Sequence, residues 1–267
     1  MNNRKLIAIL VLLAAIGMMV HAGSQLIKAG RVYREGNAAY EALSKQVKKS
    51  PPTGSALKTA PAEKEADAGF KAAEEPQLSL PELEIDFQML TTINKDAATW
   101  LYCPGTVIDY PVMKADDYDY YLHHLPDGTQ NANGSLFIDY NCAADFSDPL
   151  TIIYGHHMKS GSMFGSLKGY KEQGYFEEHP YMYLYTQQGN YRIDLIYGCV
   201  IGAGQWRERA FTCAKNVKAL IAYAAYNTTF KNGTVYEEGD RVVALSTCSY
   251  EFDDARYVLV GILRAVV

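Results

Sequence analysis

Residues 191–199, YRIDLIYGC, alternate in character: Tyr191, Ile193, Leu195 and Tyr197 fall on one side, Arg192 and Asp194 on the other. A period of two belongs to a strand with one face on a core; a helix, whose period is 3.6, would scatter these residues around its axis. Short strand-forming runs recur at 107–112, 135–139, 151–154, 182–185, 241–247 and 257–266, and Asn133-Gly134 and Asn232-Gly233 mark turns. Two helices interrupt them, at 83–93 and near 213–226. In the second, Val217, Leu220, Ile221 and Ala224 recur at i, i+3, i+4 and i+7, which predicts one stripe packed on a sheet. Many short strands with few helices imply a mostly β, α+β domain, either a barrel or a sandwich.

The folded domain is expected over 82–267, because what precedes it has another composition. Residues 6–20 are wholly apolar, and no Asp, Glu, Lys or Arg appears until Lys28. Some 22 helical residues reach about 33 Å, roughly a hydrocarbon core, so 1–27 reads as a membrane anchor. The rival is a signal peptide cleaved after Val20-His21-Ala22. Either way the remainder is exported, which predicts a single-pass membrane protein with an extracellular body. Residues 28–49 read as a membrane-proximal helix with a polar surface. Residues 50–81, rich in Pro, Ala, Glu and Lys, read as a flexible linker spacing the body from the bilayer. A net charge of -5 without a basic stripe argues against nucleic acid. The five cysteines, 103, 142, 199, 213 and 248, are odd in number and include no CxxC pair. Neither a zinc site nor a dense disulfide framework follows, and no metal or cofactor is expected.

One segment, LSTCSYEFDDAR, asks for chemistry. It ends a strand at Cys248 and opens another at Arg256, with only residues 249–255 between. Sequential strands joined by so short a loop pair antiparallel, which brings Cys248 and Arg256 to one sheet edge. Alternation puts Ser246 on the face of Cys248, and Leu245 and Thr247 on the other. A cysteine nucleophile with an arginine set to hold an oxyanion is one reading. The other is a small core thiol beside an arginine paired with Glu251, Asp253 or Asp254.

A cysteine nucleophile also needs a partner to manage its proton, usually histidine. Of six histidines, His21 lies in the apolar segment, His179 precedes a proline, and His123-His124 read as a turn. His156-His157 follow a buried-looking strand that stops at Gly155, so a side chain there projects from the sheet edge. Adjacent residues point apart, so one of the pair is expected to serve, and a metal site on both is not.

IIYGHHMKSGSMF followed about ninety residues later by LSTCSYEFDDAR resembles the sortases, cysteine transpeptidases of Gram-positive cell surfaces. Their pattern is a histidine after a strand, then TLxTC, then an arginine opening the next strand. IDFQMLTTINKDAATWLYCPGTVIDYPVM, DYDYYLHH and NGSLFIDY are similar to class B members in particular, and the likeness spans nearly all of 82–267. Two departures are visible: Ala244 stands where TLxTC has threonine, and Cys103 where an aliphatic residue is common.

The resemblance implies a closed eight-stranded barrel with an N-terminal helix and a long helix between strands six and seven. It further implies Cys248 as nucleophile, His156 as acid/base and Arg256 as carbonyl or oxyanion stabiliser. Tyr154, Ser246 and Thr247 are the candidates for substrate contact. The substrates implied are exported proteins with a C-terminal sorting signal, cleaved after Thr through a Cys thioester. The acceptor would be an amine of a peptidoglycan precursor or of a pilin. The competing readings are a papain-like cell-wall hydrolase, in which cysteine usually precedes histidine, and a surface scaffold without activity.

Overall fold

The computed structural model describes residues 3–49, 80–213 and 217–266. It opens with α1 (Asn3–Val47), a single helix of 45 residues. Along its first half, Val11, Leu12, Leu13, Ile16, Met18, Met19, Val20, Leu26 and Ile27 are all exposed, an apolar sleeve that no described residue covers. The second half behaves differently. Tyr40, Leu43 and Val47, spaced along one helical face, are buried against the domain. Tyr40 donates to the Gly134 carbonyl at 2.6 Å, and Asn131 Nδ2 donates to the Val32 carbonyl at 3.0 Å. Gly36 sits one turn earlier, where a Cβ would lie 2.5 Å from Asn133 Nδ2, so the helix comes this close only because that residue is glycine. The surface expected to be polar therefore carries an apolar docking stripe.

The chain then forms β1 (Lys48–Lys49) and, beyond the linker, β2 (Glu84–Ile85). These two pair antiparallel, Lys49 opposite Glu84. Both ends of the Pro- and Ala-rich segment are thus held side by side on the body, and α1 has docked before that segment begins. Residues 50–79, which hold most of the expected linker, lie outside the described residues. Lys48 pairs with Asp109, which also accepts from Trp100 Nε1 at 2.7 Å, tying this ribbon to the barrel wall. The helix α2 (Phe87–Ile93) follows, capped by Asp86, whose carboxylate accepts the Met89 N–H at 2.9 Å.

Eight strands close the barrel. They are β3 (Ala97–Tyr102), β4 (Asp109–Lys114), β5 (Leu136–Ile138), β6 (Leu150–Tyr154), β7 (Tyr181–Tyr185), β8 (Asn190–Gly202), β9 (Val242–Cys248) and β10 (Ala255–Val266). Their order around the barrel is β10-β8-β7-β3-β4-β5-β6-β9, with β9 returning to β10. Pairs β4–β5 and β6–β9 are parallel; the other six are antiparallel. Closure leaves this sheet without an edge and decides between the barrel and the sandwich. Inside lie Leu101, Val112, Ile153, Leu184, Leu195, Leu245 and Leu259. A second apolar cluster, with Trp100, Met113, Phe137 and Tyr185, receives Leu43 and Val47 of α1 and Leu90 of α2 on the outside.

The remaining helices are short. The turn α3 (Tyr120–His123) precedes β5, and a 3-10 segment (Phe164–Lys171) runs into α4 (Gln173–Glu178). Between β8 and β9 lie α5 (Ala203–Cys213) and α6 (Val217–Tyr226). Val217, Leu220, Ile221 and Ala224 of α6 are buried, the stripe their spacing predicts. The 3-10 segment and α4 are not visible in the sequence as periodic runs; Phe164, Leu167, Tyr170 and Phe176 bury themselves through tertiary contact.

Candidate active site

One rim of the barrel gathers the residues singled out above. Strands β6 and β9 run parallel, Tyr154 opposite Ser246, so both end at this rim. Strand β10 starts there, Arg256 directly opposite Cys248. Beyond Tyr154 the chain must leave the sheet within one residue. Gly155 allows it: a Cβ there would lie 2.4 Å from Leu136 Cδ2 and 2.7 Å from Phe164 Cδ2. His156 is the first side chain to emerge. A pocket of about 490 Å³ opens at this rim, and Tyr154, His156, Ser246, Thr247, Cys248 and Arg256 all line it. The six sequence candidates, drawn from three strands and a loop, therefore meet in one cavity.

His156 is held by one ring nitrogen. Its Nε2 lies 2.7 Å from the Leu122 carbonyl, which can only accept, so Nε2 carries the proton. In the neutral ring that leaves Nδ1 as the basic nitrogen, and it has no partner among the described residues. Cys248 is exposed, whereas Cys103, Cys142 and Cys199 are buried. Burial raises the Cys142 thiol to about 11 and the Cys199 thiol to about 12, which keeps both protonated and inert. The side chain of Cys213 lies outside the described residues.

Arg256 does not pair with its acidic neighbours. Its Nη1 donates to the carbonyls of Ala255 at 3.0 Å and Asp254 at 3.3 Å, and among the described residues it has no ion pair. Glu251 is engaged elsewhere, with Lys171 and the Ser249 hydroxyl. Burial alone would raise that carboxyl, but the two donors hold it at about 2. Among the described residues no carboxylate lines the pocket, and the guanidiniums of Arg207 and Arg256 make it a cationic cleft.

The three candidate contact residues differ in what they have left to offer. Ser246 is 2 % exposed and its Oγ has no partner among the described residues. The Tyr154 hydroxyl donates to Asp139 Oδ2 at 2.9 Å, and Tyr118 donates to the same oxygen at 3.0 Å. Burial and the carboxylate push both phenols well above their usual range, so they stay protonated. Tyr154 thus presents its ring to the cavity, packed on Phe137 with centroids 5.5 Å apart. The Thr247 hydroxyl is committed to the Gly155 carbonyl at 2.8 Å.

Part of the wall went unread. Ala203, Trp206 and Arg207 of α5 line the pocket, as do Tyr118 and Leu122 from the β4–β5 connection. Ala203, Trp206 and Arg207 stand at i, i+3 and i+4, one helical face, but nothing in sequence says that this face turns to the rim. Among the described residues the Trp206 Nε1 is buried without a partner, as Ser246 Oγ is on the same wall. His157, the second of the pair, has its Nδ1 2.7 Å from the Cys248 carbonyl.

No protein-family model matches the chain. A curated relative, Sortase B of Listeria monocytogenes, is 31% identical over 184 residues, covering 67% of this chain and 74% of that protein. Among solved structures, Clostridium perfringens sortase B superposes with a TM-score of 0.61 at 29% identity, covering 66% of this chain and 98% of that one. A class B sortase of Streptococcus pyogenes described as involved in pilus biogenesis gives 0.60 at 26% identity, covering 67% and 97%. A Staphylococcus aureus sortase B–substrate complex gives 0.62 at 23% identity, covering 68% and 86%. The barrel is the one these proteins share, and the level of identity to the Listeria relative carries more than the fold. The chain belongs to the class B sortases, cysteine transpeptidases.

Proposed function

We propose that this transpeptidase acts through Cys248, His156 and Arg256 on the C-terminal sorting signal of exported proteins, and passes them to a primary amine. The observation that carries the assignment is the meeting of an exposed thiol, an imidazole with a free Nδ1 and an unpaired guanidinium on the wall of one pocket. Cys248 gives its proton to His156 Nδ1 and its sulfur attacks the carbonyl carbon of the substrate threonine. The oxyanion that forms is stabilised by the Arg256 guanidinium. When the tetrahedral species collapses, the carbon–nitrogen bond breaks, His156 returns the proton to the departing amine, and a thioester remains on Cys248. An incoming amine attacks that thioester and gives its proton to His156; the carbon–sulfur bond breaks and His156 passes the proton to the departing thiolate of Cys248. A thioester reacts readily with amines, so the amide is rebuilt without a nucleotide.

Ser246 and Trp206 suit the reading of a peptide groove, since both line the pocket beside Cys248. Tyr154 offers a ring face, and Thr247 supports the site through its bond to Gly155. Staphylococcus aureus sortase B has been solved with a substrate, and a sortase B has been solved with triglycine, a peptide whose amine is of the expected acceptor kind. For this chain the amine is that of a peptidoglycan precursor or a pilin lysine. We assign the apolar half of α1, with a mean hydropathy of 1.4, to the membrane, and the barrel (within 82–267) to its outer side. Contacts from Tyr40, Leu43 and Val47 make the second half of α1 part of the same folded body.

The test uses the full chain in detergent with a library of sorting-signal peptides and an added amine. Transfer to the amine by the wild type, and none by Cys248→Ala, is the expected result. Release to water alone marks a hydrolase, and turnover by Cys248→Ala removes the mechanism.

A further inference from the structure

We infer that His157 is a positioning residue that fixes the peptide of Cys248 and so the direction of its thiol. The inference rests on the reading of Cys248 as nucleophile. It starts from where the β6–β9 ladder stops. Backbone pairing ends at Tyr154 opposite Ser246, with a last bond from Gly155 N to the Ser246 carbonyl at 3.2 Å. Past that point two side chains continue it. Thr247 Oγ1 donates across to the Gly155 carbonyl at 2.8 Å, and His157 Nδ1 lies 2.7 Å from the Cys248 carbonyl. The parallel ladder is thus extended, by side chains, to the residue that carries the sulfur.

The donor assignment does not depend on charge. A carbonyl only accepts, so Nδ1 holds a proton both in this neutral tautomer and in the imidazolium. Through Nδ1, His157 acts as a fixed N–H donor to the Cys248 carbonyl. It is fixed because its loop is stiff. His157 bridges Met163, and Phe164 N donates to the His156 carbonyl at 3.0 Å. Met158, Met163 and Phe164 anchor the loop in the core. Met163 holds a left-handed φ of 53°, a conformation a non-glycine residue keeps only when its surroundings impose it. The ring is also braced by the edge of Tyr250, centroids 5.1 Å apart. One loop consequently orients both partners: His156 through the Leu122 carbonyl, and Cys248 through His157.

Three substitutions separate the hydrogen bond from the packing. Asparagine carries an amide N–H near the position of Nδ1, phenylalanine keeps the ring but no donor, and alanine has neither. His157→Ala and His157→Phe should each lower kcat about five- to tenfold with KM within about twofold, and His157→Asn should stay within about twofold of wild type. A second readout needs no sorting peptide: the rate at which a methanethiosulfonate captures Cys248, with Cys248→Ala as blank. It should change in the same order, with the wild type and His157→Asn alike. Equal activity and capture for wild type and His157→Phe would overturn the inference, leaving the ring as packing. Equal losses for His157→Asn and His157→Ala would overturn it too. If the wild type captures the reagent but turns over no sorting peptide, the functional reading fails, and the capture series still decides the role of His157.

Discussion

Strand β9 has two neighbours, and they hold its Cys248 end by different means. On the β10 side the antiparallel ladder runs unbroken to the rim, Val242 opposite Ile262 through to Cys248 opposite Arg256. On the β6 side the parallel ladder stops two residues short, and Thr247 and His157 side chains complete it. The short loop 249–254 explains the first arrangement, because a hairpin fixes its own register. A parallel pair has no such turn. Here about ninety residues of other strands and helices intervene, and alignment at the tip is left to specific donors. Arg256 is therefore placed by backbone, and His156 by side chains and a braced loop.

The sharpest way to test this difference is to substitute on the ladder side first. Arg256→Ala removes a side chain that the register does not use. Turnover of sorting peptides should fall about 100-fold, the usual loss when one oxyanion donor goes, while the melting temperature stays within about 1 °C. A melting temperature several degrees lower would mean that the guanidinium holds the hairpin and that the two flanks are alike.

Thr247→Val makes the matching change on the other flank. It keeps the shape and removes the donor, leaving the buried Gly155 carbonyl without one. That should cost about 1–3 kcal/mol, seen in chemical denaturation, and lower kcat about tenfold as His156 loses its register with Cys248. Thr247→Ser, which keeps the hydroxyl, should recover most of both. If Thr247→Val kept full stability and activity, side-chain donors would not be what aligns the parallel pair.

The same contrast explains what could be read from the sequence. The placing of Cys248 beside Arg256 was legible because it follows from alternation and a short loop, both local. The helical stripe of Val217, Leu220, Ile221 and Ala224 was legible for the same reason. Tyr40, Leu43 and Val47 also stand at helical spacing, yet among the charged residues of 28–49 three apolar positions do not show what they pack on. That Trp206 joins the pocket depends on how α5 leaves β8, and that Tyr154 is held by Asp139 depends on the β5–β6 pairing. Alternation says that only one of His156 and His157 serves as acid/base, because adjacent residues point apart, and the resemblance selects His156. The two do point apart, and the second points to the peptide of the cysteine. Tertiary position, which no local pattern encodes, decided each of these.

The smallest effect should come from the ladder side again, in the loop that closes the hairpin. Glu251 bonds Lys171 and Ser249, and its carboxyl sits at about 2 against an ordinary 4.5. A lowered value means that the native state favours the charged form. Its contribution to stability is complete above pH 4.5 and is lost as pH falls from there toward 2. The group is partly exposed, so screening keeps that contribution small. Glu251→Gln should therefore leave kcat at neutral pH within about twofold, because the ladder and not this ion pair places Arg256. It should flatten the acid limb of a stability profile between pH 4.5 and 2, measured by denaturant midpoints. A marked loss of neutral-pH turnover in Glu251→Gln, with the melting temperature unchanged, would show that the hairpin tip needs side-chain support as the parallel pair does.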